Sequence, residues 1–219
     1  MTSKHIKAVF FDLDGVLVNS EVMHQSMTEN FLKDEQIPIA PQRFYLLIGS
    51  HKSLNPWAQI LDGLNLDMSD EELKQRLHAY KAERLAKVNY KEHLFPETKA
   101  VLTKLKEMGI KLACASSSNM NYIKEVLDSD DLTKLFDLIV TCDDFEKSKP
   151  EPDIYLHCLK HFGFPKEECL IVEDSEIGIQ AGKSAGIKVI ARKDHIFHLN
   201  QDKADAFIED LNGLFDHII

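Results

Sequence analysis

The 219-residue chain has no internal repeat and no low-complexity tract, which excludes solenoids and disordered scaffolds. No apolar run approaches the roughly 20 residues that a helix needs to cross a bilayer. Positive charge is in short supply: 26 Lys and Arg stand against 36 Asp and Glu, for a formal net charge of −10. That balance argues against a nucleic-acid partner and against an anionic membrane surface, because both demand clustered Lys and Arg. The four cysteines, Cys114, Cys142, Cys158 and Cys169, form no CxxC pair. Three of them lie in or at the end of apolar stretches, so buried free thiols in a reducing compartment are expected rather than disulfides or a zinc site. Met1 to His5 runs directly into a strand-like segment without a secretory h-region, and a cytoplasmic location is expected.

What is present is a series of short, nearly continuous apolar runs, the pattern of strands buried on both faces of a parallel sheet. They are Lys7 to Asp12, Ile110 to Ala115, Phe136 to Thr141, Cys169 to Val172 and Ile187 to Ala191, with Ala206 to Ile208 as a weaker edge candidate. Helical patterns alternate with them at Thr98 to Met108, Asn119 to Leu127, Asp153 to His161 and Glu176 to Ala185. Alternation of this kind predicts an α/β fold, a doubly wound parallel sheet. Residues 20–92 break the rhythm, with helical patterns at Met23 to Leu32 and Asp70 to Val88 and no convincing strand. A parallel crossover needs only about a dozen residues. The excess predicts an inserted α-helical cap domain at 20–92, and a core domain built from 1–19 and 93–219.

In such a sheet, ligands bind beyond the carboxyl ends of the strands. The sequence puts Asp12, Asp14 and Gly15 after the first strand and Ser116, Ser117, Ser118 and Asn119 after the second. Lys147, Ser148 and Lys149 follow the third, and Glu173 and Asp174 the fourth. Carboxylates without His or Cys suit a hard, oxygen-seeking ion, with Mg²⁺ as the default. A hydroxyl and a lysine beside them suit phosphoryl oxygens. One Asp can serve as nucleophile and a second as general acid and base.

These residues resemble the haloacid dehalogenase-like phosphotransferases. Phe11-Asp12-Leu13-Asp14-Gly15-Val16 is similar to the first motif of that family. Ser116, Lys149-Pro150 and Glu173-Asp174-Ser175 follow as the second, third and fourth, in order. The inserted helical segment points to the subgroup similar to β-phosphoglucomutases and sugar-phosphate phosphatases. By this resemblance Asp12 is the nucleophile and Asp14 the acid and base. Ser116 and Lys149, with Ser117 beside them, hold the phosphoryl group. Asp12, the Asp14 carbonyl and Asp174 ligate Mg²⁺, with Glu173 close by. The same resemblance assigns His24 to the hinge and Lys52 to the substrate's distal phosphate, His24 being otherwise an ordinary first-turn helix residue; Lys81, on the second long cap helix, is either a further substrate-facing cation or a solvated one. Lys52 stands where β-phosphoglucomutase-like relatives carry an arginine, which counts against a mutase. Pro96-Glu97 replaces the usual Pro-Gly after the cap.

The expected activity is therefore Mg²⁺-dependent hydrolysis of a small phosphomonoester, a sugar phosphate for choice, by a monomer. A β-phosphoglucomutase-like isomerase is the alternative, and a non-enzymatic phosphoryl-binding module a more distant one. His157 and His161, spaced i, i+4, are expected to be ordinary surface or half-buried histidines. Ser117, Ser118 and Asn119 are expected chiefly to open the following helix, and Lys147 to be a solvated neighbour of Lys149.

Overall fold

The computed structural model describes residues 5–37 and 68–218. Contacts divide the chain into two compact units, Met1–Asn19 with Tyr90–Ile219, and Ser20–Asn89.

The first unit is built on a six-stranded, wholly parallel sheet: β1 (Ala8–Phe11), β2 (Lys111–Ser116), β3 (Leu138–Thr141), β4 (Cys169–Glu173), β5 (Lys188–Arg192) and β6 (Ala206–Ile208). Their spatial order is β3-β2-β1-β4-β5-β6. The chain winds outward from β1 through β2 and β3, then returns to the other side of β1 for β4. That reversal opens a crevice at the carboxyl end of β1, where Asp12 stands. The apolar runs are strands because both faces are covered: all four residues of β1 and all five of β4 are buried. One face packs Phe10, Ala113, Ala115 and Ile171 against Ile154, Tyr155, Cys158, Ile179 and Ala181. The weak candidate at Ala206 to Ile208 pairs with β5 as the sheet edge.

In the second unit, α1 (Ser20–Asp34) packs against α2 (Asp70–Leu85). The Phe31 and Tyr80 rings meet edge to face at 5.3 Å, and Arg76 pairs with Glu35 at 2.6 Å. Ser69 caps α2, its hydroxyl accepting from the Glu72 amide at 3.2 Å as the capping-box spacing predicts. The sheet is flanked by α3 (Thr98–Glu107), α4 (Met120–Asp128), α5 (Asp153–Phe162) and α6 (Glu176–Ser184). Each lies within a residue or two of its sequence pattern.

The returning chain joins the first unit at Tyr90, earlier than the predicted start at 93. A short 3₁₀ turn, Tyr90–His93, brings the Tyr90 ring edge-on to Tyr122 at 5.5 Å, and the Asn19 amide donates to the His93 carbonyl at 2.8 Å. Glu97, in place of the expected glycine, accepts from Arg192 at 2.6 Å and ties the start of α3 to the end of β5. All four cysteines are buried and unpaired. Among the described residues no helix is long and apolar enough to cross a membrane.

Candidate active site

Parallel pairing puts the ends of β1, β2 and β4 side by side, Phe11 opposite both Cys114 and Val172. Asp12 follows at once, its amide donating to the Val172 carbonyl at 3.0 Å. The turn after it needs Gly15, whose φ is +75° and whose missing side chain leaves room for the Asp174 carboxylate. Gly178 does the same for Glu173, whose carboxylate occupies the volume a Cβ would take.

Lys149 joins these ends. Its Nζ donates to Asp12 Oδ1 at 2.5 Å, to Glu173 Oε1 at 2.7 Å and to the Ala115 carbonyl at 2.9 Å. All three N–H groups of the ammonium are thus directed at oxygen. Glu173 is fully buried, and its Oε1 also accepts from the Tyr155 hydroxyl at 2.6 Å. Its Oε2 accepts from the Asp174 amide and the Ser175 hydroxyl. Burial alone would lower the Lys149 ammonium, but Asp12 and Glu173 outweigh it and hold it well above its ordinary range. Burial pushes the Asp12 carboxyl upward; Lys149 opposes this, and Glu173 and Asp14 reinforce it.

Asp12, Glu173 and Asp174 each bring a carboxylate oxygen to within 4.8 Å of the others. Against one ammonium, three carboxylates leave two negative charges in excess among the described residues. The donors are all hard oxygens, and no other cluster among the described residues has comparable metal-ligating geometry. A divalent cation fits this set both by charge and by donor type.

Asp14 lies apart from that cluster. Its Oδ2 accepts from the Ser118 hydroxyl at 2.8 Å and its Oδ1 from the Tyr122 hydroxyl at 2.9 Å. Ser116, at the end of β2, is buried, and its hydroxyl accepts from the Ser118 amide at 3.0 Å. Ser117 is exposed and turns its hydroxyl to the Cys142 sulfur at 3.7 Å. Ser118, expected only to open the helix, therefore reaches Asp14. Asn119 caps α4 as expected, accepting from the Tyr122 amide at 3.0 Å.

Asp12, Asp14, Ser116, Lys149, Glu173 and Asp174 thus share one rim. His24 and Lys81 belong to the second unit, and Lys52 falls outside the described residues. His157 and His161 are exposed and pack edge-on against Phe145 and Phe162, as ordinary surface histidines do. Lys147 is exposed, as expected.

Three side chains of the site carried no usable signal in the sequence. Tyr122 and Tyr155 read there as helix residues. Gln201 lies in a loop, yet its buried Nε2 donates to the Asp174 carbonyl at 2.6 Å and the Arg192 carbonyl at 2.7 Å.

A doubly wound parallel sheet with paired aspartates, a buried lysine and an acidic pair on its carboxyl rim defines a Rossmann-like fold with an acidic site at its switch point. Residues 9–192 match the family model described as haloacid dehalogenase-like hydrolase. A phosphorylated carbohydrates phosphatase of Thermotoga maritima is 32% identical over 209 residues, covering 91% of this chain and 89% of that one. A phosphoglycolate phosphatase of Mannheimia succiniciproducens is 32% identical over 199 residues, 86% of each chain. The crystal structure of a β-phosphoglucomutase from Clostridium difficile superposes with a TM-score of 0.72 at 22% identity, covering 97% of this chain and 95% of that one. The chain belongs to the haloacid dehalogenase-like hydrolases and shares its fold with the β-phosphoglucomutases.

Proposed function

We propose that the protein is a Mg²⁺-dependent phosphatase that hydrolyses a small phosphomonoester, with a sugar phosphate as the expected substrate, through an aspartyl phosphate on Asp12. The observation that carries this reading is the cluster in which Lys149 bridges Asp12 and Glu173 beside Asp174. The relatives named as phosphatases of phosphorylated carbohydrates and of phosphoglycolate support the substrate class.

In the first half-reaction an Asp12 oxygen attacks phosphorus and the bond to the ester oxygen breaks. Asp14 gives its proton to that oxygen, releasing the alcohol. In the second, a water passes a proton to Asp14 and attacks the same phosphorus. The bond to Asp12 breaks, and inorganic phosphate leaves. An arriving phosphoryl oxygen takes over the Lys149 proton now directed at Asp12, and the Ser116 hydroxyl binds a second oxygen. The Asp12 and Asp174 carboxylates and the Asp14 carbonyl, with Glu173 beside them, would hold Mg²⁺, which would supply the positive charge that lets an anionic nucleophile meet an anionic phosphoryl group. The second unit acts as the cap, with His24, Lys81 and Lys52 as its candidate substrate contacts. A monomer in the cytoplasm belongs to the same proposal, and the four buried free thiols suit a reducing compartment.

The test is phosphate release from a panel of sugar monophosphates with Mg²⁺ added or chelated. Wild type is expected to release phosphate only with the metal. Asp14→Asn should lower kcat by about 10²–10⁴, and Asp12→Asn should abolish turnover. Interconversion of hexose phosphates without free phosphate would make the isomerase the better reading. Unchanged turnover in Asp12→Asn would overturn the nucleophile, and no turnover of any ester by wild type would favour the phosphoryl-binding module.

A further inference from the structure

The two aspartates of the first motif stand only one residue apart yet meet different chemistry. Asp12 is paired with an ammonium, whereas both oxygens of Asp14 accept from neutral hydroxyls. Two hydroxyl donors, one on each oxygen, fix the plane and direction of the Asp14 carboxyl.

The hydroxyls themselves are firmly placed. Ser118 is held through its amide by Ser116 and through its carbonyl by the Thr141 hydroxyl at 2.6 Å. The Tyr122 amide is held by the Asn119 cap, and its ring by the edge-on contact with Tyr90. Tyr122 lies in the first turn of α4, 108 positions from Asp14 in the chain, so only the sheet register brings them together.

We propose that Tyr122, with Ser118, is a positioning residue that fixes the direction of the Asp14 carboxyl for proton transfer to the leaving group. This inference rests on the phosphatase reading and on Asp14 as its acid.

The leaving group supplies the test. A nitrophenolate leaves without help from an acid, whereas an alkoxide needs the proton. Values of kcat/KM report the first phosphoryl transfer. They are compared for p-nitrophenyl phosphate and for the best sugar monophosphate of the panel, in wild type, Tyr122→Phe, Ser118→Ala and Asp14→Asn. The expected result is a fall of about tenfold or more on the sugar phosphate in Tyr122→Phe, and of less than about threefold on the nitrophenyl ester. Ser118→Ala is expected to show the same selectivity, so the inference stays testable if one variant folds poorly. An equal fall on both esters, or no fall, would reduce Tyr122 to a packing residue and overturn the inference. If Asp14→Asn also lacked selectivity, the assignment of Asp14 as acid would fail independently of Tyr122. If wild type hydrolysed neither ester, the phosphatase reading itself would fall.

Discussion

Replacing Lys149 by methionine removes the one ammonium that the Asp12 and Glu173 carboxylates share and keeps most of the side-chain volume. Both acids are buried, Glu173 completely, so neither recovers its lost partner from water. Truncating one member of a buried ion pair costs about 3–5 kcal/mol, because the remaining charge is left uncompensated. Here two carboxylates are stranded at once, at 2.5 and 2.7 Å from the lost nitrogen. For a chain of this size the corresponding fall in Tm is roughly 6–20 °C. Thermal and urea unfolding at pH 7 with chelator present would measure it. Raising the salt concentration should change the penalty little, since buried pairs are weakly screened. Adding Glu173→Gln to Lys149→Met should recover at least about 1 kcal/mol, because one stranded charge is removed with it. A penalty below about 1 kcal/mol, or strict additivity of the two substitutions, would refute this account of the cluster.

Asp137 tests the electrostatics of the sheet away from the site. Burial would raise its carboxyl, but hydrogen bonds from Lys106, the Leu112 amide and Lys111 outweigh this and pull it down to about 2, from an ordinary 3.8. A depressed acid contributes stability that is present above its unfolded value and lost as pH falls from about 4 to about 2. Allowing for partial solvent screening, Asp137→Asn should cost about 1–2 kcal/mol at pH 7 and converge on wild type near pH 2, measured by urea unfolding across that range. Gly178→Ala should destabilise the protein by about 1–3 kcal/mol and disturb Lys149, because the added carbon meets the Glu173 carboxylate; an unchanged Tm would contradict it. Tyr90 presents the opposite sign. Its hydroxyl is buried and has no hydrogen-bond partner among the described residues, so Tyr90→Phe should raise stability by about 1 kcal/mol. A loss of stability instead would mean that the hydroxyl is satisfied in solution.

The strands and helices of the first unit were legible because each buries enough apolar surface to impose its period on the local sequence. Val9, Phe10 and Phe11, or Leu170, Ile171 and Val172, can lie only in a strand covered on both faces. The rim residues were legible for a related reason. Charged groups that end or directly follow such strands must lie at their ends, so Asp12, Glu173 and Asp174 announced a common edge, and the ordered motifs added Lys149 from the loop after β3. The strand order was not readable from these segments, and neither was the choice between Ser117 and Ser118. Adjacent residues in a turn differ by a rotation that only the packed backbone decides; here Thr141 and Ser116 orient Ser118 towards Asp14 and leave Ser117 exposed beside Cys142.

By itself, then, the sequence determined the alternation of strand and helix, the acidic rim and the family of the chain, since all three are written in local pattern and ordered motifs. Tertiary structure alone decided which neutral groups serve those acids. Tyr122 reaches Asp14, Tyr155 reaches Glu173 and Gln201 reaches the Asp174 carbonyl across 108, 18 and 27 positions of chain. A tyrosine on a helix and a glutamine in a loop have no local periodicity that marks their partner. Their partners are set by the register of a parallel sheet, which is a property of the whole fold.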